Sequence, residues 1–315
     1  MKPFFAKIPA LLALAAACAA PGAAGGAKKI VLAWGDSVHA WGEHENALMC
    51  EIIADALENA LHGEAEVEIT KLEKGSGLGA LRGADAAVFV CEGGPHHPLE
   101  GAEAELEKLS DSGTAMAFFH YALEAQGGEL ERLIKKCAGG AFERGWSVNP
   151  FWKADFEVSA GHPASRGAKP FEIRDEWHFN MRFDPSAKIF PILTAVPPDE
   201  ARLRPFGPHS GNAQVRADMG RAETILWLSE GPGGRRGMGF TGGHSPWILM
   251  NGDCRKLILN SIAWLAKIDV PGGGLQSPEP DFDDAASRIA KPERPDREEY
   301  LKSWKKAAES WAAKR

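Results

Sequence analysis

The chain lacks the short signatures of several large enzyme classes. It has no GxSxG elbow, no Walker loop, no GxGxxG at the first strand-to-helix turn and no HExxH. Serine hydrolase, nucleotide hydrolase, dinucleotide enzyme and common zinc protease therefore lose their main support, and no nucleotide cofactor is expected. No Lys/Arg cluster is present and the net charge is −7, which argues against nucleic acid or an anionic membrane as partner and leaves a neutral or anionic small molecule. No CxxC spacing links Cys50, Cys91, Cys137 and Cys254, whose neighbours are mostly apolar. Buried free thiols are expected there, although spacing alone assigns no disulfide. Past the first residues no run of about 18 apolar residues occurs, so no membrane span is expected.

Residues 1–28 read as a signal peptide. Lys2 and Lys7 flank the start of an apolar stretch, Ile8 to Ala20, that ends in small residues and Pro21, the layout of an export leader. A periplasmic or secreted protein is the expectation, with a lipid anchor on Cys18 as the alternative to ordinary cleavage. Residues 29–271 carry the regular pattern, and 272–315 form a charged tail in which Trp304 and Trp311 stand at helical spacing.

The patterned region alternates strand and helix. Lys29 to Trp34 is a β-rich run, followed by a loop bearing Gly, Asp and His and then by an amphipathic helix from Asn46 to Leu61. Ala65 to Thr70, Ala86 to Cys91 and Ala115 to Phe119 read as further strands, with a helix from Pro98 to Ser110. Continuously apolar strands between helices predict a mostly parallel sheet covered on both faces, an α/β three-layer sandwich. From about Gly139 to Gly220 the signal weakens, Lys188 to Leu193 apart, and the segment reads as an elaboration packed on the sheet. Regular elements return with Glu223 to Ser229, a hairpin turn at Gly231 to Gly234, a strand from Gly237 to Thr241 and a helix from Cys254 to Ala266.

Ligands of open parallel sheets bind beyond the carboxyl ends of the strands, where loops converge and helix N-termini point. The first strand is followed by Asp36, His39, His44 and Glu45, the third by Glu92, His96 and His97, the fourth by His120, and the last by Gly242, Gly243 and His244. Six of the ten histidines thus fall on one edge. Imidazole titrates near neutrality and also ligates metals, so the cluster indicates proton transfer or metal coordination, weighed equally. The middle segment adds His162 and the run Asp175-Glu176-Trp177-His178. A carboxylate desolvated beside Trp177 suits a general acid or base, whereas Asp175 also fits a loop cap paired with Arg174 or Arg182. His62 and His209 look like surface residues.

The ordered segments SVHAWGEHEN, EGGPHHPL, FFHYALE, WSVNPFW, HPASRGAKPFEIRDEWHFNMRF, GRRGMGFTGGHSPW and DCRKLILNSIAWLA resemble the ThuA-like (trehalose-utilisation) family over about Lys29 to Pro271. The resemblance implies a class I glutamine amidotransferase-like fold, which is flavodoxin-like. Amidotransferases carry a nucleophilic Cys at the sharp turn after the fourth strand; His120 stands at that junction here, so thiol-based glutaminase chemistry is not expected. The family's polar positions correspond to His39, His44, Glu45, His120, His162, Asp175, Glu176 and His244. His178 replaces a common Tyr, and Ser245-Pro246 replaces a further His after GGH.

What the resemblance implies about function is a role in using trehalose and related disaccharides through keto-sugars. A carbonyl acidifies the neighbouring C–H, so one base and one polarising group suffice for isomerisation or elimination. Glu176, His120 and Asp175 are the catalytic candidates. His39, His44, Glu45, Tyr121, Asn149, Trp177 and Trp247 are the substrate-binding candidates, with Trp177 and Trp247 equally readable as core. His120, His244, His162 and His178 are candidate ligands of a divalent metal, zinc or manganese. Metal-dependent glycoside hydrolysis and non-catalytic sugar binding are the alternatives.

Overall fold

A computed structural model describes residues 26–312; most of the leader lies outside the described residues. In chain order the strands are β1 (Lys28–Gly35), β2 (Ala65–Leu72), β3 (Ala86–Val90), β4 (Ala115–Phe119), β5 (Gly140–Ala141), β6 (Phe151–Val158), β7 (Phe171–Glu176), β8 (Arg182–Phe183), β9 (Lys188–Ala195), β10 (Glu223–Gly231) and β11 (Arg235–Phe240). The helices are α1 (Asn46–Ala60), α2 (Glu103–Asp111), α3 (Gly128–Ala138), α4 (Asp199–Arg202), α5 (Ala213–Ala217), α6 (Gly252–Leu265), α7 (Phe282–Ser287) and α8 (Arg297–Ala312). β1 already contains Lys28, the last residue of the stretch read as leader. The helix expected from Pro98 starts at Glu103, because Gly101 takes a positive φ of 88° and turns the chain first.

Nine strands form one sheet in the order β2-β1-β3-β4-β11-β10-β9-β6-β7. The first five are mutually parallel and begin with the doubly wound order 2-1-3-4. Their side chains alternate between two cores: Ile30, Leu32, Val88 and Ala117 face one, with α1 and α6, while Val31, Ala33, Phe89 and Phe118 face the other, with α2 and α3. Every residue of β3 and β4 is buried, which is why these strands read as unbroken apolar runs. Each aliphatic or aromatic side chain so buried contributes about 1.5–3 kcal/mol of transfer free energy.

The middle segment does not pack on the sheet as expected; it extends it. β10 and β11 form the hairpin anticipated at the glycine-rich turn, and β9, β6 and β7 continue outward in antiparallel pairing. β6 shows the exposed/buried alternation of a half-covered strand. β6 joins β9 only through Glu157–Thr194 and Val158–Leu193. The rest of the β6–β7 hairpin is thereby free to lean over the loops at the carboxyl edge.

All four described cysteines are buried free thiols. No helix among the described residues is long and apolar enough to cross a membrane. The tail returns to the domain: Phe282 stacks on Trp247, and Lys291 donates hydrogen bonds to Ser37 Oγ and to the carbonyls of Glu43 and His44.

Candidate functional site

β1, β3, β4 and β11 run in one direction, so the residues following them emerge at one edge. β7 runs the same way and ends there with Glu176, while β6 runs opposite and starts there after Asn149. This brings His39, His44, Glu92, Tyr121, His120, Asn149, Glu176, His178 and His244 together.

The chain turns sharply at two of these positions. His44 and His120 hold positive φ angles of 44° and 50°, a conformation that costs a residue with a Cβ about 1–3 kcal/mol and persists where the surroundings enforce it. His44 is tied by its backbone N–H to the carbonyl of His244 at 2.7 Å. Gly242 packs its bare Cα against Trp177; a Cβ would lie 1.9 Å from the indole.

The side chains form a chain of contacts. Oε1 of Glu92 accepts from Nδ1 of His39 at 2.9 Å and lies 3.2 Å from Nδ1 of His44. The two imidazoles stack with centroids 3.6 Å apart. Nε2 of His44 lies 3.1 Å from Nδ1 of His244, which is 3.2 Å from Oε2 of Glu176. Oε1 of Glu176 accepts from Asn149 Nδ2 at 2.7 Å and stands 3.3 Å from His178 Nε2. His120 Nδ1 is 2.8 Å from the carbonyl of Thr241. A carbonyl only accepts, so Nδ1 carries the proton and the lone pair is left on Nε2. That Nε2 is buried with no hydrogen-bond partner, as is Nδ1 of His178.

Burial drives the His44 pKa down to about 4 despite the hydrogen bond to Glu92, and drives His120 well below the ordinary value. Both imidazoles are neutral near pH 7. Burial alone would raise Glu176, but the hydrogen bonds to His178 and His244 prevail and hold it well below the ordinary carboxylate range. Burial likewise opposes charge on His244, yet Glu176 and Asp175 outweigh it and raise its pKa. Burial pushes Tyr121 up to about 12, so its phenol remains a donor.

The donor set fits a divalent cation. His44, His120 and His244 present ligand atoms within 4.8 Å of one another, and so do His120, Glu176 and His178. His44 and His120 each direct Nδ1 to an oxygen, a carboxylate and a carbonyl, the outer-shell arrangement that orients metal-ligating imidazoles. The unpartnered Nε2 of His120 points to the same conclusion, and nitrogen with carboxylate suits zinc or manganese.

Several expected site residues lie elsewhere. His162 is a correction: its Nδ1 accepts from Ala164 N–H, its ring packs on Phe190 and Trp264, and it does not join the cluster. Trp177 and Trp247 are fully buried, against Gly242 and Phe240 and against Trp41 and Phe282, so neither offers a face to a sugar. Glu45 is turned inward, accepting from Gly42 N–H at 2.8 Å and facing Lys291 at 3.4 Å; it closes the loop rather than meeting substrate. Asp175 accepts from the N–H groups of Gly243 and Ser245, a loop-holding role. It pairs with neither arginine considered for it. His209 is not a plain surface residue: it bonds Glu124 at 2.7 Å and stacks on Phe142.

Sequence reasoning placed Glu92 on the site edge and Trp304 and Trp311 on a tail helix but gave them no role in the site, and it did not single out Phe151. Glu92 directly follows a fully apolar strand, and Phe151 stands on the outward phase of an alternating strand; both signals were legible. Phe151, 46% exposed, sets its ring edge-on to His244 at 4.8 Å.

The trehalose-utilisation (ThuA) family matches residues 31–265, and the chain belongs to that family. No curated protein matches the chain. A ThuA-like protein from Bacteroides uniformis, solved by crystallography, is similar with 16% identity and a TM-score of 0.55, over 80% of this chain and 96% of that one. Another, from Parabacteroides merdae, has 16% identity and a TM-score of 0.53 over 80% and 98%. At this identity the likeness shows the fold, an α/β sandwich on a mostly parallel sheet. The family places the chain in a carbohydrate-related role.

Proposed function

We propose that this protein is an enzyme that acts on a keto-sugar or keto-glycoside by moving a proton beside the carbonyl, in isomerisation or elimination. The observation that carries this reading is Glu176, ionised and fixed by Asn149, His178 and His244, beside the unpartnered Nε2 of His120. A base held in one orientation needs no reorganisation when it takes a proton. Glu176 and His244 have pKa values displaced in opposite directions, the pattern that divides acid from base within one site. Glu176 accepts the proton and the phenol of Tyr121 donates to a substrate oxygen; with no cation on it, the Nε2 lone pair of His120 accepts from a substrate hydroxyl. A divalent cation held by His44, His120 and His244 would, when bound, polarise the carbonyl oxygen as a Lewis acid. The leader read from residues 1–28 fits a periplasmic or secreted setting.

The test begins with the metal content of purified protein, wild type against a His120→Ala/His244→Ala variant, by elemental mass spectrometry. Near-stoichiometric zinc or manganese that vanishes in the variant supports the metal-assisted form. Turnover of 3-keto-glycosides by wild type that falls about 10²–10⁴-fold in Glu176→Gln supports the base assignment; a fully active variant removes it. Turnover of unoxidised glycosides instead would favour hydrolysis, and binding without turnover a sugar-binding protein.

A further inference from the structure

Beside the histidine cluster lies a cavity of about 470 Å³, walled on one side by β6 and β7 and on the other by α8. It begins at His244 and Ser245 and runs past Phe151 to Trp304 and Trp311. We infer that this cavity is a subsite for the second sugar ring of a disaccharide glycoside, with α8 supplying its aromatic wall. The inference rests on the carbohydrate reading above and extends it from the reacting ring to the ring it is joined to.

Three observations carry it. Phe151 is a large aromatic left 46% exposed in direct contact with a site histidine, where core packing does not require it. Trp304 and Trp311 lie seven residues apart on one face of α8, their rings 6.5 Å apart and partly buried, and both line the cavity. Such rings offer flat apolar faces to the C–H surface of a sugar. Polar groups stand around them: Lys153, paired with Glu172 at 2.9 Å, Arg174 over the Phe151 ring, and the hydroxyls of Ser303 and Ser310. An apolar floor with a few hydrogen-bonding groups is the composition of small-molecule sites, and the volume is in their usual range.

α8 is held firmly enough to serve as a wall. Tyr300 Oη donates to the carbonyl of Gly42 at 3.0 Å and meets Ser245 Oγ at 3.3 Å, so the helix is pinned to the two loops that carry His44 and His244. The tail lies beyond the family match, which ends at residue 265. The family match therefore does not itself describe this wall.

The experiment measures affinity, separately from turnover. Calorimetry with full-length mature Glu176→Gln protein would compare 3-keto-trehalose with methyl 3-keto-glucoside, in the Trp304 and Trp311 background and in Trp304→Ala/Trp311→Ala and Trp304→Phe/Trp311→Phe. The expected result is a disaccharide bound at least about tenfold more tightly than the methyl glycoside. The double alanine variant should lose about ten- to thirtyfold in disaccharide affinity while methyl glycoside affinity changes less than about twofold, with phenylalanine restoring most of the loss. Equal affinities with both tryptophans in place, or a preference untouched by the alanine variant, would each overturn the subsite, whereas no binding of either glycoside would overturn the keto-sugar reading and the subsite with it. Loss of the base assignment would appear instead as unchanged turnover in Glu176→Gln against wild type, so the two failures are distinguishable.

Discussion

Asp175 and Glu176 are adjacent in β7 and serve opposite faces of it. Asp175 accepts the backbone N–H groups of Gly243 and Ser245 at 3.0 and 3.2 Å, while Glu176 faces Asn149, His178 and His244. The period of two in a strand thus places one carboxylate under the loop that carries His244 and the other against the imidazole itself. Their substitutions should separate. Glu176→Gln keeps the Asn149 contact and is expected to remove turnover with little change in melting temperature. Asp175→Ala leaves two buried N–H groups without an acceptor and should lower stability by about 2–3 kcal/mol, read by urea unfolding.

Metal loading should release protons. His244 is held protonated to higher pH than a free imidazole by Glu176 and Asp175, and a ligating nitrogen must give its proton up. Zinc titrated into metal-free protein in weak buffer is expected to acidify the solution, and affinity should fall as pH is lowered. Binding with no pH dependence would place the ion away from His244.

His97 provides a pH effect on stability away from the cluster. It is fully buried, with Nε2 near the carbonyl of Ala122 and Nδ1 accepting from Leu99 N–H, and burial drives its pKa down to about 4. The unfolded chain takes up the proton near pH 6.5 and the folded chain near pH 4, so between these values the unfolded state binds more protons. Stability from this group is complete above pH 6.5 and is lost as pH falls toward 4, by about 3 kcal/mol in all. Urea unfolding at pH 7 and pH 5 should show the loss. His97→Gln, which still donates to Ala122 but does not titrate, should make that slope shallower by this group's share, while His44 and His120, also depressed by burial, keep theirs.

Gly242→Ala tests how the loop is seated. The added Cβ would fall 1.9 Å from a carbon of the Trp177 ring, and that ring is buried against Phe156 and Phe240. A loss of about 1–3 kcal/mol is expected for such overpacking, with metal content falling as His244 shifts. A variant as stable and as metal-loaded as wild type would show that Trp177 yields.

The sandwich was legible from sequence because β1, β3 and β4 are buried on both faces and so read as apolar runs, and because their polar followers include His39, His44 and His120. The outer half was not. β6 and β7 are half-covered, and nothing local says whether such strands lie on a sheet or lengthen it. The aromatic candidates failed for a related reason: Trp177 and Trp247 adjoin the polar motifs in sequence, but the strand and turn that carry them direct the rings inward, while Phe151, one phase apart in β6 from buried Trp152, faces the site.

Sequence alone determined the α/β class, the family, and the edge where histidines gather, since these follow from periodicity and from what comes after each strand. Only the tertiary structure decided which of them meet. Glu176 reaches His244 because β6 and β7 are joined to the sheet by a short pairing and lean across its edge, and α8 becomes a wall of the neighbouring cavity because Tyr300 and Lys291 anchor it to the loop around Gly42 and His44. Those are contacts between segments far apart in the chain, fixed by packing and hydrogen bonds that no local pattern encodes.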